Sequence, residues 1–181
     1  VGRVPWWLLA LGGLVLLVLA GGGALIVSRL VKRWEGLRLE VYQDVAGLWT
    51  IGYGHLVTAA DNIYPYSDVT EITEAEAGRL LAQDMRIASN IVSQHVRVPL
   101  TASQREALVS FVFNVGAGVP GERDGFVYLK SGQPSTMLRK LNAGDFAGAA
   151  AEFDKWINAG GARVNGLIAR RAEERALFEV A

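Results

Sequence analysis

The chain has 181 residues, enough for one catalytic or binding domain with an appendage. Lysine plus arginine and aspartate plus glutamate number 18 each, so no global charge recommends nucleic acid as a partner. There is no cysteine, which excludes disulfide staples and thiol switches, and His55 and His95 alone are a poor basis for a metal centre. No cofactor is expected.

The charge is unevenly spread. Residues 4–28 hold no ionisable side chain, and all 18 acidic residues lie at or beyond Glu35. Every residue from 6 to 27 is apolar, glycine or alanine. At ~1.5 Å per residue a helix over this stretch is about 33 Å long, enough for a hydrocarbon core of roughly 30 Å. Its leucine, valine and isoleucine side chains favour insertion by on the order of 4 to 7 kcal/mol, and Trp6 and Trp7 suit an interface. The expected organisation is a membrane-inserted segment over 1–28 and a globular unit over 29–181. Gly12, Gly13, Gly21, Gly22 and Gly23 weaken the span, since glycine costs a helix ~1 kcal/mol relative to alanine. Two readings stand: a permanent anchor with glycines for helix packing, and a marginal anchor able to leave the bilayer. Arg29, Lys32 and Arg33 follow the span and only Arg3 precedes it, a count that points the carboxyl side to the cytoplasm.

The span runs into a short helix over 29–38 that ends near Gly36. Residues 40–53 are rich in Val, Tyr, Trp, Thr and Ile around Ala46-Gly47, a hairpin pattern. Residues 58–68 read as loop. Thr73 with Glu76 forms a capping box opening a helix whose Ala77, Leu80, Leu81, Ala88, Ile91 and Val92 share a face. Thr101 with Gln104 repeats the signature before Ala107, Leu108, Phe111 and Val112, and the glycines after Val115 stop that helix. A long polar loop over 119–134 precedes a helix over 135–142. Asp145 caps another bearing Phe146, Ala149, Ala150, Phe153 and Trp156. Gly160-Gly161 separates it from a last helix with Leu167, Ile168, Ala172, Leu177 and Phe178. The class is α+β: a small β element, then helices.

Glu35, Asp44 and Thr50 are the candidate chemistry, an acid, a second acid and a hydroxyl at a helix end and along a hairpin. Glycosidic hydrolysis needs two carboxyl groups with different tasks, one protonating the leaving oxygen and one managing water or positive charge on the opposite face. Strand side chains alternate faces, so a two-residue loop at Ala46-Gly47 would set Asp44 against Trp49 and turn Thr50 away. Asp44 and Thr50 share a face only across a loop of three or five residues; the odd loop is expected.

These residues, followed by Ile51-Gly52-Tyr53-Gly54-His55, resemble the phage-type lysozymes, the muramidases of glycoside hydrolase family 24. Phe111 to Gly118, Ser135 to Asp145 and Trp156 through Gly160-Gly161 to Arg171 extend the likeness in order along the chain. With the glycine-rich leader, the whole resembles the signal-anchor-release endolysins of lambdoid phages. The resemblance implies a lysozyme-like fold, mostly helical with a small β-hairpin subdomain, preceded by a signal-anchor helix. It implies Glu35 as general acid, Asp44 as the ionised partner, and Thr50 as the holder of a water. Leu56 and Phe113 fall where the family lines its cleft.

The implied activity is cleavage of the β-1,4 bond between N-acetylmuramic acid and N-acetylglucosamine with inversion. Peptidoglycan is the expected partner, with the host inner membrane contacted through residues 6–27. The location is first that membrane, tethered and inactive, then the periplasm as a released, active monomer. That location requires the orientation opposite to the charge count. Residues 59–69 and 119–134 look like insertions that reshape the cleft rim. The rival readings are a lytic transglycosylase, which Asp44 with Thr50 argues against, and a membrane-anchored wall-binding protein without activity. His55 reads as structural, and Trp49 and Trp156 as core. Arg163, Arg170, Arg171 and Arg175 are either a surface that steers an anionic polymer or, with Glu173 and Glu174, a solvated face.

Overall fold

A computed structural model describes residues 26–44 and 47–180, with side chains from Leu30 onward. The expected span over 6–27 lies outside these residues except for Ile26 and Val27. Among the described residues no helix is long and apolar enough to cross a membrane.

Helix α1 (Ile26–Glu35) ends where Gly36 takes a left-handed φ of 69°. Leu30 and Val31 are buried, which docks its second half on α3. The chain then enters an antiparallel sheet of three strands in the order β1 (Arg38–Gln43), β2 (Trp49–Gly52) and β3 (His55–Leu56). The third strand exceeds the expected hairpin. It forms because Gly54, at φ 82°, turns the chain tightly back after Tyr53. The loop after β3 folds back as well: Val41 N–H donates to Thr70 O and Ile72 N–H to Leu39 O, covering the outer edge of β1. Tyr64 from this loop stands edge-on to Trp49, and Ile63 is buried, so residues 59–69 pack on the sheet.

Both capping boxes form as expected, at Thr73–Glu76 for α2 (Glu74–His95) and Thr101–Gln104 for α3 (Ala102–Val115). α3 is the central helix, packed against α1, α2 and α6. It is therefore buried well beyond one stripe, with Glu106, Val109 and Ser110 inside along with the anticipated Ala107, Leu108, Phe111 and Val112. Residues 119–134 contain no helix, yet Phe126 and Val127 of that stretch are buried in the core. The loop is thus a structural strap across the end of α3. Helices α4 (Thr136–Asn142) and α5 (Phe146–Glu152) follow, capped by Ser135 and Asp145, and a single 3-10 turn adds Phe153 and Trp156 to the aromatic cluster around Phe111. Gly160-Gly161 is more than a separator. With φ of 58° and 79° it turns a two-residue hairpin between β4 (Asn158–Ala159) and β5 (Ala162–Arg163).

Helix α6 (Asn165–Phe178) departs most from its expected face. Ala172 is exposed, Leu167, Ile168 and Leu177 are half-buried, and the side turned inward carries Arg170, Arg171, Glu174 and Phe178. Arg170, Arg171 and Glu174 therefore belong neither to a steering surface nor to a solvated face.

Candidate active site

The β1–β2 pairing sets Tyr42 opposite Thr50 and Gln43 opposite Trp49. Asp44 N–H donates to Leu48 O at 2.9 Å, which continues the same register and leaves residues 45–47 as a three-residue loop. The loop is odd. Tyr42, Asp44 and Thr50 consequently share a face, and because Thr50 also pairs with Leu56, that side chain joins the same row. Asp44 Oδ1 accepts the Leu48 N–H at 2.9 Å, so the carboxylate closes its own turn. The Thr50 hydroxyl, nearly buried, donates to Leu48 O at 3.1 Å, leaving its oxygen to accept.

Glu35 reaches this row from the last residue of α1. Its Oε2 would lie only 3.2 Å from a side chain at Gly54, so the β2–β3 turn makes room for the carboxyl by carrying none. Tyr42 links the two acids. Burial first, and the charges of both Glu35 and Asp44, push its phenol upward in pKa against the opposing pull of Arg38. The Arg38 guanidinium stacks 3.9 Å from the Tyr42 ring centre.

The other Glu35 oxygen is anchored from far along the chain. Arg170 Nη1 donates to Oε1 at 2.5 Å, and Arg170 is itself buried, with Nε on Glu174 at 3.1 Å and Nη2 on Ser110 O at 3.3 Å. Glu174 is fully buried and accepts from Ser110 Oγ at 2.7 Å and from Arg171. Arg171 in turn donates to Asn114 and to Trp156 O, and lies over Phe111. Two further contacts fix the end of α1: Trp34 Nε1 and Arg33 both donate to Glu173 on α6, at 2.9 and 3.1 Å. Glu35 is thus held by one edge on a rigid polar core, while its second edge faces the sheet turn.

The phage lysozyme family model matches residues 32–174. The chain belongs to the phage lysozyme family. Two relatives agree over most of their length. The endolysin of Acyrthosiphon pisum secondary endosymbiont phage 1 is 42% identical over 156 residues, covering 84% of this chain and 94% of that one. The SAR-endolysin of bacteriophage PS119 is 35% identical over 172 residues, covering 92% of each. Among solved structures, the muramidase domain of SpmX from Asticaccaulis excentricus superposes with a TM-score of 0.68 at 31% identity, covering 88% of this chain and 98% of that one.

In this phage lysozyme, then, the fold gathers Asp44, Thr50 and Leu56 in one row and brings Glu35 up to it. Phe113 stays on the helical side, half-buried in the last turn of α3. His55 is structural, as read from sequence: Nδ1 donates to Asp84 at 2.8 Å and Nε2 lies 3.3 Å from Asp61, tying β3 to α2 and to the following loop. Burial alone would lower its pKa, but Asp84 first and then Asp61 outweigh it and raise the value. Trp49 and Trp156 both pack against the core. Sequence reasoning passed over Tyr42, gave Gly54 no role of its own, and set Arg170 on the surface rather than against Glu35. Tyr42 was within reach, since the same parity that paired Asp44 with Thr50 puts it on their face. Nothing local marks Arg170, which meets Glu35 across 135 residues.

Proposed function

We propose that this lysozyme cleaves the β-1,4 bond between N-acetylmuramic acid and N-acetylglucosamine of peptidoglycan, lysing the host, with Glu35, Asp44 and Thr50 as its catalytic residues. Lysozyme activity follows from the family. The assignment of roles rests on one observation, the convergence of Glu35 with the face that Asp44 and Thr50 share. Glu35 donates a proton to the departing glycosidic oxygen from the edge that Arg170 leaves open. Asp44 accepts a proton from a water whose other hydrogen bond goes to Thr50 Oγ, the hydroxyl proton being committed to Leu48 O. The water then attacks the anomeric carbon from the face opposite the leaving group. This is the inverting arrangement, for which the two carboxyl groups stand ~6.5–9.5 Å apart rather than about 5 Å. Leu56, half exposed at the end of the row, offers an apolar contact to the sugar ring, and Phe113 a second from the helical side.

Location follows the relatives named SAR-endolysin. Residues 6–27 tether the chain to the inner membrane in an inactive form, and release frees an active periplasmic monomer. The support is the direct passage from the apolar stretch into α1, the helix that carries Glu35 and is tied through residues 33–35 to α6. Digestion of purified peptidoglycan tests the chemistry. Reducing N-acetylmuramic acid ends released as the α anomer are expected. 1,6-Anhydro ends would mean a transglycosylase, and intact murein a binding protein. Lytic activity that moves from membrane to periplasm on depolarisation tests the tether; activity that stays in the membrane throughout would contradict release.

A further inference from the structure

A cleft of about 460 Å³ lies away from the catalytic row, between the end of α2, the strap residues 127–134 and α4. Ala77, which packs beneath Gly52 of the sheet, precedes His95 by 18 positions on α2, or roughly 27 Å at the helical rise. The cleft therefore belongs to the opposite end of that helix.

Its chemistry is one-sided. No carboxylate lines it, whereas His95 and Arg97 at the end of α2 and Arg139 on α4 do. Both arginines are exposed, and among the described residues neither pairs with an acidic group; Arg139 makes only a 3.3 Å bond to Thr136 Oγ1. This contrasts with Arg33, Arg170, Arg171 and Arg175, each held by a glutamate or aspartate. The floor is apolar, made by Val127, Pro134 and Leu138.

The walls are also fixed. Asn142 accepts from Arg97 N–H at 2.8 Å and donates to His95 O at 2.9 Å, fastening α4 to the end of α2. Ser135 Oγ donates to Phe126 O at 2.5 Å and locks the strap beneath, while Tyr128 pairs with Pro134 and meets the His95 ring edge-on. Such a cleft needs little ordering to bind.

We propose that this cleft is a second substrate-binding site, which takes the carboxylate-bearing stem peptide hanging from the glycan. The identity of the polymer rests on the muramidase reading; the preference for a carboxylated peptide rests on the cleft. Two guanidinium forks match carboxylates in planar, bidentate geometry. The apolar floor suits the aliphatic backbone and side chains between those carboxylates, and a bare phosphate or lipid headgroup makes no use of it. Bound here, a stem peptide would hold a wall strand on the lysozyme at a point remote from the scissile bond.

Calorimetric titration of the full chain in detergent micelles with a synthetic Ala-γ-Glu-diaminopimelate tripeptide tests this. Saturable binding is expected, weakened about ten-fold or more in an Arg97→Gln/Arg139→Gln double variant whose thermal transition is unchanged. An Arg97→Lys/Arg139→Lys control should fall between. Inorganic phosphate and anionic-lipid vesicles should leave peptide binding intact. Equal affinity in the double variant, full displacement by phosphate or vesicles, or no saturable binding would each overturn the proposal. The titration needs no turnover, so Glu35→Gln protein should bind the tripeptide as the parent does. Failure of the muramidase reading would appear instead as undigested murein with peptide binding retained.

Discussion

In the sheet region His55 sits between Asp61 and Asp84, a largely buried cluster whose members lie no more than 29 positions apart in the chain. In the helical region Glu174 sits among Arg170, Arg171 and Ser110, and the cluster reaches back to Glu35 through Arg170. Both replace apolar packing with paired charge, yet they respond to different conditions. The first contains a histidine whose pKa is raised, Asp84 and Asp61 outweighing burial. The second is built from arginines that stay charged and a glutamate without exposure. The sheet region thus carries a fastening that weakens as pH rises, while Glu35, the proposed acid, is anchored to a buried cluster of arginines and a glutamate. Placing an acid at the end of a helix and stabilising its position through a central helical network separates the geometry of the acid from the titration of its neighbours.

The sharpest way to break this contrast is to remove the centre of the helical cluster. Glu174→Gln leaves the buried Arg171 without its counter-charge and Arg170 with Glu35 alone, and should cost roughly 3–5 kcal/mol in urea denaturation. A loss below about 1 kcal/mol would mean that water or another group already balances them. Next is the contact on the sheet side. Gly54→Ala strains a left-handed backbone and pushes a methyl group against Glu35 Oε2, so turnover should fall on the order of 10²-fold through misplacement of the acid. Wild-type rates in that variant would place the reacting Glu35 elsewhere.

The pH dependence sharpens the comparison further. The folded-state pKa of His55 is raised, so its contribution to stability is fully present below the unfolded value of about 6.5 and is lost as pH rises through the folded value. Asp84→Asn should therefore be most destabilising near about pH 6, by roughly 1.5–3 kcal/mol, with the gap to wild type narrowing toward about pH 9. A gap that stays constant over that interval would remove His55 as the titrating partner. The smallest effect concerns Glu106, buried on α3 with Oε2 lacking a partner among the described residues. Burial raises its pKa, so ionisation costs stability as pH rises above the unfolded value of about 4.3. Glu106→Gln should raise Tm at neutral pH, by no more than a few degrees for about 1 kcal/mol, and leave it unchanged near pH 4. A Tm gain of the same size at both pH values would point to packing instead.

The same two regions differ in how much of them the sequence discloses. Around the sheet, local rules suffice: the parity of the loop follows from where Asp44 and Thr50 must point, and the structure has three residues between Asp44 and Leu48. The helix starts at Thr73 and Thr101 are equally local, each a side chain bonding the backbone three residues on. The helical region is where periodicity misleads. On α6 an apolar pattern promises burial for Ala172, but the inward side is taken by Arg170, Arg171 and Glu174, because those charges find partners on α1 and α3. Phe126 and Val127 sit inside a polar-looking loop for a similar reason, since their burial depends on the strap crossing the end of α3. Partners 64 and 135 residues away have no signature in the local pattern.

The proposed proton donation by Glu35 can be measured as turnover of purified peptidoglycan by Glu35→Gln protein. The amide keeps the volume and an acceptor for Arg170 but has no carboxyl proton to give. A loss of about 10²–10⁴-fold is expected, with the thermal transition retained. Hydrolysis at the parent rate by folded Glu35→Gln protein would contradict it.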